Sequence, residues 1–184
     1  MILAIDMGNT NIVIGGIDNT KTYFLERITT HTTRTELEYS MYIKGILDIH
    51  GVKAKDIEGA ILSSVVPPLN ITIRNAVKKI LGIECMLVES GMKTGLNILM
   101  DNPKSVGSDM IVDAIAAMSE YPLPLAVIDM GTATTISVVD IHGNYIGGII
   151  HPGLRISLDT LSSKTAQLAQ VNLDIPKKAI AKNT

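Results

Sequence analysis

Two short stretches, Asp6-Met-Gly-Asn-Thr-Asn11 and Asp129-Met-Gly-Thr-Ala-Thr134, hold the residues of this chain best suited to chemistry. Ile-Asp-Met-Gly stands at residues 5–8 and again at 128–131. In both copies an aliphatic run leads in, small hydroxyl or amide residues follow, and a second aliphatic run leads out. The pattern reads as strand, tight turn, strand, with an acid at the end of the first strand. Glycine lets such a turn approach a ligand closely, because it carries no Cβ. Asn and Thr side chains, with successive backbone N–H groups, can cradle phosphate oxygens. The carboxylate can hold a divalent cation that bridges those oxygens. Either copy alone is equally well an ordinary hairpin turn. Two copies at domain-sized spacing predict a nucleotide cleft between two related lobes.

Other reactive side chains carry weaker signals. Asp109 and Asp113 stand one turn apart in an amphipathic segment, and from the residues alone each is as readily a helix acid favoured by the macrodipole. His31, His50, His142 and His151 show no metal-ligand spacing and read as loop or surface residues, with His142-Gly-Asn144 a hairpin turn. Ser63 and Ser64 have no partner His arrangement that would make a nucleophile. The single Cys85 lies in an apolar strand-like run and reads as an inert buried thiol. It can form no intramolecular disulfide, which fits a reducing cytosol.

The elements that must position these residues follow from periodicity. Residues 2–6 and 11–17 read as a hairpin, and a third strand covers 21–28. Thr35–His50 has helical spacing with Gly51 as its stop. Residues 59–66 form a buried strand, Leu69–Leu81 an amphipathic helix closed by Gly82, and 84–88 another strand. Residues 89–105 lack periodicity, and a connection of that length is more often functional than merely structural. A helix spans Val106–Met118. Strands at 125–130, 134–140 and 144–150 then repeat the opening order, followed by a helix over about 154–168. The expected domains are an N-terminal lobe with the linking helix, 1–119, and a shortened C-terminal lobe, 120–184.

Composition excludes several classes. Hydrophobic residues make up 46% of the 184, while aromatics are only 3%, so the core must be aliphatic. A net charge of −2 leaves no footprint for nucleic acid or an anionic membrane. No apolar stretch reaches the roughly 18 residues of a membrane span, and the N-terminal apolar run breaks at Asp6 without a basic leader. The expected location is cytoplasmic.

Taken together, the motifs resemble the type III pantothenate kinases, whose fold is α/β with two related ribonuclease H-like lobes of the actin/hexokinase/Hsp70 type. The resemblance rests on Asp6-Met-Gly-Asn-Thr10, on Arg27 to Tyr39 with Thr30, Thr35 and Glu38, and on Ser63-Ser-Val-Val-Pro67. It continues through Asn102-Pro-Lys-Ser-Val-Gly-Ser-Asp109, Asp129-Met-Gly-Thr-Ala-Thr-Thr135, Gly147-Gly-Ile-Ile-His-Pro-Gly153 and Lys182-Asn-Thr184. It implies ATP-dependent phosphorylation of the primary hydroxyl of pantothenate, with Mg2+, a monovalent cation (K+ or NH4+) and a homodimer. By the same resemblance Asp6 would help hold Mg2+ against the phosphates. Met7, Gly8, Asn9, Thr10, Asn11, Ile12 and Val13 would form the first phosphate site, with Thr132 answering from the second. Asp129 would face the monovalent cation, and Asp109 would accept the substrate hydroxyl proton. Met100, Gly107, Ser108, Asp109, Met110 and Thr184 would line the pantothenate pocket.

Three departures from the family pattern bear on activity. Gly107-Ser-Asp-Met110 replaces Gly-Ala-Asp-Arg, removing a fixed cation with planar donors; loss of such a charged contact costs about 2–5 kcal/mol. Met100 stands where many members have a Tyr. The chain also ends before the family's last Gly-rich segment, leaving apolar faces of the second lobe in need of cover. Two functions therefore stay open: an active pantothenate kinase, and a degenerate, non-catalytic paralogue that binds nucleotide or pantothenate in a regulatory role.

Overall fold

The computed structural model describes residues 1–89 and 91–165, and beyond them positions 173, 175, 178 and 180. Strands β1 (Ile2–Met7), β2 (Asn11–Ile17) and β3 (Thr22–Thr29) form an antiparallel meander. Helix α1 (Glu36–Ile49), strand β4 (Gly59–Ser64), helix α2 (Asn70–Leu81) and strand β5 (Cys85–Leu87) follow. β4 and β5 extend the sheet in parallel, giving the order β3-β2-β1-β4-β5.

Alternation in β1 decides which face is buried. Leu3, Ile5 and Met7 are fully buried with Ile12, Ile14 and Leu62, and Tyr39, Ile43, Ile73 and Val77 of α1 and α2 pack onto them. Each such aliphatic side chain taken out of water contributes about 1.5–3 kcal/mol. Asp6 alternates to the opposite face. α1 starts at a capping box in which Thr35 and Glu38 each bond the other's backbone N–H. α2 stops at Gly82, whose φ of +72° suits glycine.

A second sheet takes the order β6-β9-β8-β7. Its strands are β6 (Asn97–Ile98), β7 (Leu125–Met130), β8 (Ala133–Val139) and β9 (Asn144–Pro152). The last three form an antiparallel meander opened by the second Ile-Asp-Met-Gly, as in the first sheet. β6 joins β9 in parallel, so the 89–105 connection holds a short strand that its lack of periodicity concealed. Helix α3 (Ser108–Glu120) contacts β4 of the first sheet and β7 and β8 of the second. Its Ile111 and Ala114 share a small core with Val106, Val139 and Tyr145. Helix α4 is described over Leu154–Lys164, and the rest of the helix expected to 168 lies outside the described residues.

α3 begins two residues later than the periodicity suggested. Pro103–Ser105 form a 3-10 turn and Val106 is extended, so Gly107 becomes the cap. The hairpin at residues 142–144 is as expected, with Gly143 at φ +78° and Asp140 accepting the His142 and Asn144 N–H groups. Cys85 is buried, and burial pushes its thiol up to about 11. Exposed apolar residues gather on the second sheet, where Ile128 is 60% and Ile150 71% exposed.

Candidate active site

The first turn is held from both sides. Its ends are the Met7–Ile12 register pair, and the Gly8 N–H closes it onto the Asn11 carbonyl at 2.9 Å. Thr30, just past β3, donates its hydroxyl to the Gly8 carbonyl at 2.7 Å and its N–H to the Thr10 carbonyl at 2.9 Å. The second turn closes in the same manner, Gly131 N–H to Ala133 carbonyl at 2.9 Å. Gly153, which caps α4, donates its N–H to the Thr132 carbonyl at 3.0 Å. A Cβ at Gly153 would collide with the Gly131 and Thr132 carbonyls, so only glycine allows α4 to approach this turn.

The two turns meet. The hydroxyls of Thr10 and Thr132 lie 2.6 Å apart, one hydrogen bond across the gap between the sheets. Around them opens a cavity of about 610 Å³. Asp6, Gly8, Asn9, Thr10, Asn11 and Val13 line it from the first sheet, Asp129 and Thr132 from the second, and Asp109 from α3. These nine of the residues singled out by sequence are thus brought to one place.

The others are placed differently. The side chains of Met7 and Ile12 are fully buried in the first core, turned to the α1–α2 side by strand alternation, which leaves only their backbone for the phosphate site expected of them. Met100 and Met110 pack against the small core beneath α3. The Ser108 hydroxyl is engaged at the end of β4, donating to the Ser64 carbonyl at 2.9 Å and accepting its N–H at 3.0 Å. Gly107, Ser108, Met100 and Met110 do not line the cavity. Thr184 lies outside the described residues. A second cavity of about 340 Å³, with Ile98, Pro103, Lys104 and Ile111 in its wall, flanks α3 separately.

Several wall residues were assigned no role from sequence, although three of them lie within the motifs named above. Arg27 on β3, Val65 after β4, Thr135 on β8 and Arg155 and Ile156 on α4 all line the main cavity. Thr30 was legible only as part of a threonine-rich stretch, and nothing in that stretch fixed which threonine would tie down the turn.

Acidity dominates the electrostatics. Asp6 is open on its cavity side, yet the surrounding wall withholds enough water to raise its carboxyl above the ordinary range. The Asp109 charge raises it further, the Ser63 hydroxyl opposes this, and Asp129 adds to it. Half-buried Asp113, one turn after Asp109, is pushed up to about 6 by burial first and then by Asp129, Asp6 and Asp109. Asp109 itself folds back so that its Oδ1 accepts the Met110 N–H at 2.8 Å.

Beyond burial, neighbouring carboxylates raise the carboxyls of Asp6 and Asp113, which marks a concentration of negative charge at this site. That fits a cation arriving with an anionic ligand. Among the described residues no three His, Cys, Asp or Glu side chains converge to hold a metal alone. Asp6 would therefore share Mg2+ with phosphate oxygens and waters, as Mg2+ ordinarily prefers.

The family model described as type III pantothenate kinase matches residues 2–184. Among solved structures, a protein described as a conserved Baf family transcriptional activator from Campylobacter jejuni is 22% identical with a TM-score of 0.53, over 96% of this chain and 68% of that one. An activator of 2-hydroxyisocaproyl-CoA dehydratase from Clostridium difficile, solved with bound ADPNP, is 12% identical with a TM-score of 0.51, over 89% of this chain and 51% of that one. The chain thus spans about two thirds of the first and half of the second. At these identities the likeness establishes the fold alone, two facing mixed α/β halves each built on its own sheet.

Proposed function

Since the chain belongs to the type III pantothenate kinase family, we propose that it transfers the γ-phosphoryl group of ATP to the primary hydroxyl of pantothenate, the first step toward coenzyme A. One observation carries this reading: Asp109 lines the same cavity as both copies of the Asp-Met-Gly turn. Phosphoryl transfer needs mostly positioning and charge neutralisation, and a shared cavity supplies both.

In this account the Gly8–Asn11 turn and Thr132 grip the phosphates from opposite sides, the Thr10–Thr132 hydrogen bond giving way to hydroxyl donation onto phosphate oxygens. Asp6 would hold a Mg2+ ion, which when bound would neutralise charge on the transferring group. Asp129 would face a monovalent cation. Asp109 orients the acceptor hydroxyl and takes its proton late, which asks little basicity of a carboxylate. Ser108 holds the start of α3 to β4 and so fixes Asp109 relative to the first turn; toward pantothenate it offers backbone rather than hydroxyl. The lobes divide at the end of α3, into 1–119 and 120–184. A homodimer would cover Ile128, Ile149 and Ile150, all exposed in the single chain. No described helix is long and apolar enough to cross a membrane.

The alternative of a non-catalytic nucleotide- or pantothenate-binding paralogue has its own support. Met110 packs into the core beneath α3 and provides no cation beside Asp109. The deciding experiment is phosphopantothenate formation by purified protein with ATP, Mg2+ and K+. Product above a no-pantothenate control supports the kinase. Nucleotide binding without product favours the paralogue.

A further inference from the structure

Arg27 stands in a row that crosses the first sheet. Register pairs Ser63 with Asp6, Asp6 with Val13, and Val13 with Arg27. Residues in register on adjacent strands share a face, so these four lie on the face opposite the α1–α2 core, the face that carries the cavity. Asp6, Val13 and Arg27 all line it. β3 is the edge strand of the sheet, and Arg27 closes the cavity on that side.

Spacing makes the arrangement useful. Arg27 lies two strands from Asp6, roughly 10 Å at ordinary strand separation. Among the described residues Arg27 makes no ion pair. The Gly8–Asn11 turn joins β1 to β2, the one strand between those of Asp6 and Arg27. Arg155, the other cation of the wall, is already turned toward Asp159 at 3.6 Å. In a cavity with three carboxylates, Arg27 is the cation left uncommitted among the described residues.

We infer that Arg27 is a nucleotide-binding residue, its guanidinium contacting the ATP phosphate chain from the β3 side while Asp6 engages it through a cation from the β1 side. A planar fork of donors suits phosphate oxygens, and a single one can be contacted by two N–H groups. The contact rests on the phosphoryl-transfer reading for its ligand class and adds to that reading a residue on the edge strand.

The test compares Mg2+-ATP and adenosine binding by calorimetry for the full chain, Arg27→Gln and Arg27→Lys. Exposure of Arg27 on an edge strand leaves the fold in place, to be verified by an unchanged melting transition. The expected result is at least tenfold weaker Mg2+-ATP binding in Arg27→Gln, partial recovery in Arg27→Lys, and adenosine affinity unaltered. Pantothenate KM should stay within about twofold, since uniform phosphate binding acts on the nucleotide alone. Equal ATP affinity in the wild-type chain and Arg27→Gln overturns the inference, as does an equal loss for adenosine. Wild-type protein that binds ATP but forms no phosphopantothenate overturns only the acceptor assignment, and the Arg27 comparison still stands or falls on binding.

Discussion

At the residue scale, Gly107 is the position where a single methyl group reads out the role of Asp109. It caps α3 at φ −62°, ψ 149°, and a Cβ added there would run into Asp109 Oδ1. Gly107→Ala should swing that carboxylate out of line and lower kcat by on the order of 10²-fold, while ATP affinity stays within about twofold; unchanged kcat would contradict the orienting role. Asp113 makes a second residue-scale case. Its folded pKa of about 6 stands above the ordinary 3.8, so the folded state binds the proton more tightly. Its contribution to stability is complete below 3.8 and is lost as pH rises through about 6. Asp113→Asn should therefore stabilise the fold at pH 7 by on the order of 1 kcal/mol, once solvent screening of a half-exposed group is allowed for, and so raise the melting temperature there. It should leave the melting temperature nearly unchanged at pH 3.5. A loss of stability at pH 7 would mean the carboxylate has a stabilising partner. Sequence spacing showed that Asp109 and Asp113 share a helix face but could not show which one reaches the cavity, because that depends on where α3 starts.

At the element scale, each Asp-Met-Gly turn depends on a tie from outside its own hairpin. Thr30 secures the first with two hydrogen bonds, and Gly153 the second by close approach. Thr30→Val removes the hydroxyl at similar volume and should weaken ATP binding several-fold, with little change in pantothenate KM. Gly153→Ala must displace the second turn or the start of α4, and should cost activity more than stability because α4 itself has no buried residue. Equal loss in both would argue that the turn is only structural. The hairpins themselves were legible, since aliphatic runs flanking Asp-Met-Gly leave few alternatives. β6 was not, because a two-residue strand has no period to detect. The residue that ties each turn comes from a distant part of the chain, and contacts of that kind leave no local pattern.

At the scale of the whole molecule, two antiparallel meanders with the same opening motif face each other, and α3 contacts both sheets. The repeat in the sequence foretold the pairing of turns and the cavity between them. It could not foretell that Met7 and Ile12 face the core or that Arg27 closes the wall, since facing depends on register. The sheets also differ in how they continue. The first adds β4 and β5 beside β1, whereas the second, among the described residues, adds only β6 beside β9. The central claim is that Asp109 serves the acceptor while the two turns serve the nucleotide. Asp109→Asn tests it most directly, by measuring phosphopantothenate formation and Mg2+-ATP affinity on the same sample. The account expects turnover to fall by at least 10²-fold, within the range of general acid–base contributions, with ATP affinity equal to that of the unmodified chain or somewhat tighter. Turnover at the unmodified rate would contradict it.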